Sequence, residues 1–135
     1  MIEGKIVRVS GPVIYASGLG GAGLYDVVEA GHDHLAGEII RMEGAVATIQ
    51  IYEENTGMKP GEPVVSFGRP LSALLGPGIL GSIYDGIQRP LERLKASGGA
   101  FLQPGVKGES LDRSRKWQFV PVMKAGDPVV QAKFQ

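Results

Sequence analysis

The 135-residue sequence contains no cysteine. This absence excludes a disulfide-stabilised scaffold and a thiolate metal site, and it is compatible with an intracellular protein. Charge of one sign is not in excess either, because 14 Lys and Arg residues balance 14 Asp and Glu residues. Nucleic-acid-binding proteins usually carry a basic excess. The balanced charge therefore argues against nucleic acid as a partner.

Long hydrophobic runs are also missing. No uninterrupted apolar stretch approaches the roughly 18 residues that a spanning helix requires. The amino-terminal stretch MIEGKIVRVSG has a charge after each short apolar piece and no signal-peptide core. We expect no direct membrane insertion, so any membrane role depends on partners. The 43% of hydrophobic residues nevertheless provide enough apolar material for a folded core.

Glycine and proline are abundant, with 21 and 9 residues, and they divide the chain into short segments. Six of these segments have the composition and spacing of strands. The predicted strands are Lys5–Val9, Val13–Tyr15, Tyr25–Glu29, Gly37–Met42, Ala45–Tyr52 and Pro63–Phe67. Six short strands joined by hairpin-length links predict a mainly β fold, a small six-stranded antiparallel β-barrel or sandwich over residues 1–70.

The pattern changes after the sixth strand. Apolar residues between Ile79 and Ile87 recur at helical spacing. Pro90 suits the first turn of a second helical piece, Leu91–Lys95. We therefore expect a short helical connector over residues 71–97.

Residues 98–135 return to strand and turn chemistry and predict a partial β-rich insertion, with Lys116–Val120 as a strand candidate. The pattern Lys-x-Gly-acid-Pro-Val occurs at residues 59–64 and again at residues 124–129. In both places glycine permits a positive φ and the acid can cap the turn. Shared turn chemistry is therefore a sufficient reason for the similarity.

A glycine-rich stretch fits a known binding motif but also a structural interpretation. Gly18–Gly23 matches G-x-G-x-x-G, and Glu43 lies 20 residues on, as in dinucleotide-binding sites. Only about seven residues separate this motif from Gly31, however, so no crossover helix can follow. A flexible hairpin turn is the favoured interpretation.

Two pairs of side chains suggest metal or acid–base chemistry. His32 and His34 could offer two imidazoles to a metal ion, but no third ligand is suggested nearby, so a solvated loop is favoured. Glu53 and Glu54 are adjacent, so in a strand their side chains point to opposite faces. A solvated strand end is favoured over a paired-carboxylate site.

Two basic groups remain. Asp112–Trp117 combines cations with an aromatic ring, as nucleic-acid-binding loops do, but a charged loop entering a strand is favoured in a neutral chain. Arg89 and Arg93 could bind a carboxylate or phosphate, and ordinary charge pairing on a helix surface explains them equally well. The sequence contains no P-loop, nucleophile-elbow or zinc-protease motif, so no catalytic constellation is recognisable.

Several longer motifs are unusual and occur in order along nearly the whole chain. They are GKIVRVSGPV (residues 4–13), GEIIR (37–41), QIYEENTGMKPGEPV (50–64), GPGIL (76–80) and IYDGIQRPL (83–91). Together they closely resemble the catalytic A subunit of the archaeal/vacuolar-type (A/V-type) rotary ATPase. Three further pieces are similar to the inserted bulge region of that family: Leu111–Arg113, Lys116-Trp117 and Lys124-x-Gly126-Asp127.

The resemblance implies an N-terminal piece of a longer subunit. In that family the barrels of alternating A and B subunits form a crown on a hexamer, which lies in the cytoplasm at the membrane periphery. ATP and Mg bind in a P-loop domain beyond this piece, so the resemblance assigns this chain no cofactor, metal ligand or catalytic residue. The parent complex couples ATP hydrolysis or synthesis to proton or sodium transport, and this chain alone is expected to be inactive.

The resemblance also gives a role to the segment Gly76–Leu94, which would lead from the barrel toward the nucleotide-binding domain. Its candidate interface or domain-packing residues are Ile79, Ile83, Tyr84, Asp85, Gln88 and Arg89. Where its apolar face lacks a neighbouring domain, we expect self-association.

Two further functions stay open at this stage, besides a standalone nucleotide-binding enzyme. Met123-Lys124 and the Gly126-Asp127 turn resemble biotinyl- and lipoyl-like carrier domains, although the modified lysine of those domains lies well after the Gly-Asp turn. The other is a free-standing interaction module built on the barrel.

Overall fold

The computed structural model describes residues 1–98, 105 and 108–128. Its main feature is a closed antiparallel barrel of six strands, in the order β1-β2-β5-β4-β3-β6. The strands are β1 (Ile2–Ser10), β2 (Val13–Ser17), β3 (Asp26–Ala30), β4 (Leu35–Glu43), β5 (Val46–Ile51) and β6 (Pro63–Pro70). The prediction of a mainly β fold with a six-stranded antiparallel barrel is confirmed.

The barrel is closed by a seam between the first and last strands, where Ile2–Lys5 pairs with Pro63–Ser66. Alternate residues of each strand point inward, so the core consists of small and branched apolar side chains. The side chains with no exposed surface include Ile14, Val28, Ile39, Ile49 and Val64. Full burial of each branched side chain contributes about 1.5–3 kcal/mol before entropy is counted.

Within residues 1–70, three of the five links between strands are hairpins, and the other two cross an end of the barrel. The crossovers are residues 18–25, between β2 and β3, and residues 52–62, between β5 and β6. The hairpin turn expected at Gly18–Gly23 is therefore wrong. The reason is Leu19, whose fully buried side chain holds this loop across the barrel end.

The helix expected between Ile79 and Ile87 is also not formed. A single 3₁₀ turn covers Pro77–Ile79, and turns follow it. Gly81 and Gln88 have φ angles of 82° and 61°, which a right-handed helix cannot include.

A second cause is Asp85, whose carboxylate accepts hydrogen bonds from the backbone N–H groups of Ile87 and Arg89. Such local bonds compete with the helical pattern. A helix does begin directly after Pro90: α1 covers Leu91–Gly98, so the second helical piece is confirmed.

The strand expected at Lys116–Val120 is absent from the described part of the insertion. Residues 108–128 contain turns and bends only. A strand needs a partner for its backbone groups, and the large side chains here, such as Phe119 and Val122, are strongly exposed. The rest of the expected insertion, residues 99–104, 106–107 and 129–135, lies outside the described residues.

The two Lys-x-Gly-acid turns have the predicted chemistry. The Glu62 carboxylate accepts a hydrogen bond from the N–H of Lys59 (3.0 Å), and the Asp127 carboxylate accepts one from the N–H of Lys124 (2.8 Å). The third residue of each turn is a glycine, with φ of 96° and 98°. Both turns therefore combine a positive φ with an acidic cap.

Candidate functional site: a charged cluster between barrel and connector

Three charged side chains meet where the connector packs on the barrel. We call Glu53, Asp85 and Arg89 the charged cluster. Glu53 lies two residues after β5, at the start of the second crossover, whereas Asp85 and Arg89 lie in the connector. Their side chains are only 11%, 19% and 15% exposed. The cluster is therefore largely buried, unlike a fully exposed surface ion pair.

The guanidinium of Arg89 joins the two carboxylates. Its Nη1 donates to Glu53 Oε2 at 2.8 Å, and its Nε donates to Asp85 Oδ2 at 2.6 Å. Charge-assisted bonds of this length are roughly twice as strong as neutral ones. The bond to Glu53 thus links the connector to the barrel, whereas the bond to Asp85 lies within the connector.

Backbone N–H groups donate further hydrogen bonds to both carboxylates. Asp85 Oδ1 accepts from the N–H groups of Ile87 (3.1 Å) and Arg89 (2.8 Å). Glu53 accepts from the N–H of Ala36 in β4 (3.4 Å) and from that of Gly105 (3.1 Å). Glu53 therefore contacts the barrel wall, the connector and the insertion at once.

The pKa values follow from this geometry. Burial alone would raise the pKa of Asp85, but hydrogen bonds from the backbone and side chain of Arg89 and from the N–H of Ile87 outweigh it, so the pKa falls below 3.8. Burial would lower the pKa of Arg89, but its hydrogen bonds to Glu53 and Asp85 outweigh that effect and raise it. Both groups are therefore held in their charged forms.

A depression of about 460 Å³ lies beside the cluster, lined by Tyr52, Glu53, Leu71, Asp85, Gly86, Ile87 and Arg89. Partial burial of Tyr52, its hydrogen bond to Glu38 and the charge of that carboxylate raise the pKa of Tyr52 to about 12. The phenol is therefore neutral and serves as a hydrogen-bond donor here, not as a base.

Gln88 and Tyr84 organise the connector internally. The Gln88 side-chain amide accepts a hydrogen bond from the N–H of Leu74 (2.6 Å) and donates one to the carbonyl of Leu74 (2.7 Å). This pair of bonds resembles the one that two residues exchange in an antiparallel sheet. Tyr84 forms an isolated β-bridge with Pro90. These contacts fold residues 71–90 back on themselves and place Asp85 and Arg89 next to the barrel.

The other two sequence-predicted residues lie apart from the cluster. Ile79 ends the 3₁₀ turn, and Ile83 is 65% exposed. The structure thus brings Asp85, Gln88 and Arg89 together, and it leaves Ile83 as an exposed apolar side chain.

The Gly-Pro-Gly sequence before that turn is explained by close packing. A Cβ on Gly76 would lie 3.1 Å from a methyl group of Leu111, and one on Gly78 would lie 3.6 Å from Leu111 and 4.0 Å from the Trp117 ring. The insertion therefore packs directly on the backbone of the connector here.

The basic cluster in the insertion is an exposed loop. The Arg115 guanidinium lies 4.3 Å from the centre of the Trp117 ring, in cation–π geometry. Asp112 accepts bonds from the backbone and hydroxyl of Ser114. The expected entry into a strand is not formed in this part of the chain.

The histidines and acids give no metal site within the described residues. No group of three or more potential ligands is found across residues 1–98, 105 and 108–128. His34 lies 3.7 Å from the Glu29 carboxylate, and its own side chain is largely exposed.

Sequence reasoning missed Glu53. The solvated strand end expected there holds for the exposed Glu54 but is wrong for Glu53, which Arg89 and two backbone N–H groups surround. The surface-pairing interpretation of Arg89 is wrong for the same reason. No local signal distinguishes the two glutamates, because the partner of Glu53 lies 36 positions away.

The chain is similar to proteins of known families. The family described as "ATP synthase alpha/beta family, beta-barrel domain" matches residues 6–68. The V-type ATP synthase alpha chain of Clostridium perfringens is 53% identical over 130 residues, which are 96% of this chain and 22% of the relative. The A subunit of the A-type ATP synthase of Pyrococcus horikoshii is 54% identical over 128 residues, 95% of this chain and 13% of the relative. The chain thus spans about a fifth of the clostridial relative's length and about an eighth of the archaeal one's.

Proposed function

The chain belongs to the family of A/V-type ATP synthase A subunits, and from this membership we propose that its barrel is an assembly domain of a rotary ATP synthase. The observation that carries the proposal is the similarity over 96% of the chain, which includes the barrel, the connector and the insertion. The matched barrel domain supports it further.

In this proposal the barrel joins the barrels of B subunits in a hexameric crown. ATP and Mg bind elsewhere in the parent subunit, and the complex couples ATP hydrolysis or synthesis to proton or sodium transport. The complex lies in the cytoplasm, peripheral to the membrane. None of the helices that the structure describes has the length and hydrophobicity that a bilayer crossing requires.

The charged cluster has a definite part in this function. In this proposal the bond between Arg89 and Glu53 holds residues 85–90 against the barrel, so the connector has a fixed direction there. A fixed exit is what an assembly domain needs, because the orientation of the barrel relative to the next domain determines whether six barrels can form a ring. Exposed Ile83 is then available for packing on that next domain.

The test uses the full-length A subunit that carries this sequence, mixed with its B subunit. We expect native mass spectrometry to show A–B hexamers with the intact subunit and loss of hexamers when residues 1–70 are deleted. ATP binding by the deleted subunit serves as the folding control. Hexamers at the intact level from an ATP-binding subunit without its barrel would overturn the proposal.

A further inference from the structure

The strand order of the barrel has an internal two-fold symmetry. Exchanging β1 with β4, β2 with β5 and β3 with β6 leaves every neighbour relation in the closed barrel unchanged. Each half is thus a hairpin followed by a crossover loop and a third strand that pairs with the other half.

The symmetry extends to the register of individual residues. Each of the five residue pairs of the β1–β2 hairpin recurs in the β4–β5 hairpin with 33 added to both residue numbers. Each hairpin has one register shift, which follows Ile6 in the first and Ile39 in the second. The Tyr15–Thr48 pair between β2 and β5 lies on the symmetry axis.

The amino-acid sequences agree at the same offset. GKIVRVSGPV (residues 4–13) and GEIIRMEGAV (37–46) share both glycines, the isoleucine, the arginine and the final valine. Glycine is required at these positions for the same structural reasons in both hairpins. Gly11 and Gly44 have φ angles of 60° and 61°, and a Cβ on Gly4 or Gly37 would collide with a backbone carbonyl of the partner strand.

The turn before the third strand is repeated too, at an offset of 36. The Asp26 carboxylate accepts a hydrogen bond from the N–H of Gly23 (2.8 Å), as the Glu62 carboxylate does from that of Lys59 (3.0 Å). Both acids cap the first residue of a four-residue turn.

This repeat explains an unusual backbone conformation. The N–H of Gly61 donates to the carbonyl of Ile6 (2.7 Å), and the N–H of Tyr25 donates to that of Ile39 (2.8 Å). Gly61 has a φ of 96° and Tyr25 one of 69°. A tyrosine therefore occupies the left-handed position that a glycine fills in the other half.

We propose that the barrel consists of two interchangeable copies of one structural unit, residues 4–30 and 37–66, and that the ionic contact between the barrel and the connector is made by the second copy, through Glu53. The offset grows from 33 to 36 between the second and third strands, so the second crossover is three residues longer. In that crossover Tyr52 and Glu53 stand where the first copy has the buried Leu19 and Gly20.

The core allows the exchange of hairpins. Ile14 and Ala16 point into the barrel from β2, and the equivalent residues of β5 are Ala47 and Ile49. The two hairpins contribute the same pair of inward side chains in opposite order, so their exchange conserves the core volume, which cores tolerate best.

The experiment is an exchange variant of this chain in which residues 4–17 and 37–50 trade places. We expect cooperative thermal unfolding by circular dichroism, with a Tm within about 10 °C of the unaltered chain. The control exchanges residues 4–17 with 38–51, which shifts both hairpins by one position and turns their apolar side chains outward. That control is expected to have no cooperative transition.

A milder variant exchanges only the turns, Ser10–Val13 with Glu43–Val46. If the turn exchange folds and the full exchange does not, the hairpins are not interchangeable and the proposal is overturned. Cooperative unfolding of the shifted control would overturn it as well, because the barrel would then accept either register.

The location of the site is tested on the unaltered chain by two substitutions at equivalent positions. Glu53→Ala is expected to increase amide hydrogen exchange in residues 85–90, whereas Gly20→Ala is expected to leave it unchanged. Equal increases from both variants would show that both copies hold the connector, contrary to the proposal.

Discussion

Replacing Arg89 with methionine removes the cation that lies between Glu53 and Asp85 while keeping a long apolar side chain. The two carboxylates then remain in a largely buried site without that counter-charge. We expect the connector to open from the barrel locally, because the barrel core is formed by side chains of the six strands and by Leu19 and does not include the charged cluster.

The magnitude follows from burial. Removing one partner of a fully buried ion pair costs about 3–5 kcal/mol, because the remaining charge is left uncompensated. Here the carboxylates keep 11% and 19% of their surface and still accept backbone hydrogen bonds. We therefore expect about 2–3 kcal/mol, which corresponds to a roughly 30- to 160-fold larger opening equilibrium for the connector.

Hydrogen exchange measured by mass spectrometry reports this opening directly. Amides of residues 85–90 should exchange about 30- to 160-fold faster in Arg89→Met, while amides in β4 and β5 keep their protection. The matched control is Arg41→Met, which breaks an equally short pair (2.6 Å to Glu43) whose side chains are 71% and 63% exposed. Exposed pairs contribute about 0–1 kcal/mol, so little change is expected.

Two results would refute the reasoning. If residues 85–90 exchange at the same rate in Arg89→Met and in the unaltered chain, the cluster does not hold the connector. If strand amides lose as much protection as the connector does, the cluster stabilises the whole barrel and the separation of the two parts is wrong.

Three further predictions concern pH, core packing and association. Hydrogen bonds to Arg89 depress the pKa of Asp85 below 3.8, so the protection of connector amides against hydrogen exchange should be constant from pH 7 to 5 and decline as pH falls below 3.8. Asp85→Asn should remove that decline, and an unchanged pH profile in this variant would contradict the prediction. Ile49→Ala should destabilise the barrel by about 2–5 kcal/mol in urea titrations, and Val46→Ala in the same strand by much less, because only Ile49 is fully buried. The apparent mass in light scattering should rise with concentration and rise less in Leu80→Glu, since Leu80 is strongly exposed; a monomer at millimolar concentration would argue against self-association.

The strands could be predicted from the sequence because each has its own local signal. Val46–Ile51 alternates inward and outward side chains and follows a glycine turn, so both its type and its position are readable. The loops that connect the strands could not be predicted from such local signals. Whether residues 18–25 form a hairpin or a crossover depends on which strand β2 pairs with, and that is decided by contacts far along the chain.

The helix prediction for the connector was wrong for a different reason. The apolar spacing from Ile79 to Ile87 fits a helix, but the carboxylate of Asp85 binds two backbone N–H groups that a helix would use otherwise. The prediction of a solvated Glu53 was wrong because the burial of this residue depends on Arg89, which is remote in sequence. Local periodicity thus predicted the barrel, whereas the candidate site depends on long-range charge pairing.

The seam between Ile2–Lys5 and Pro63–Ser66 joins segments about 60 positions apart. A ribosome adds about 5–20 residues per second, so the first strand of a nascent chain waits about 3–12 s for its second partner. During that interval one side of β1 is an unpaired edge, which invites pairing with other chains. Three of its residues, Glu3, Lys5 and Arg8, are charged. These charges protect the nascent strand from aggregation until the last strand has been synthesised.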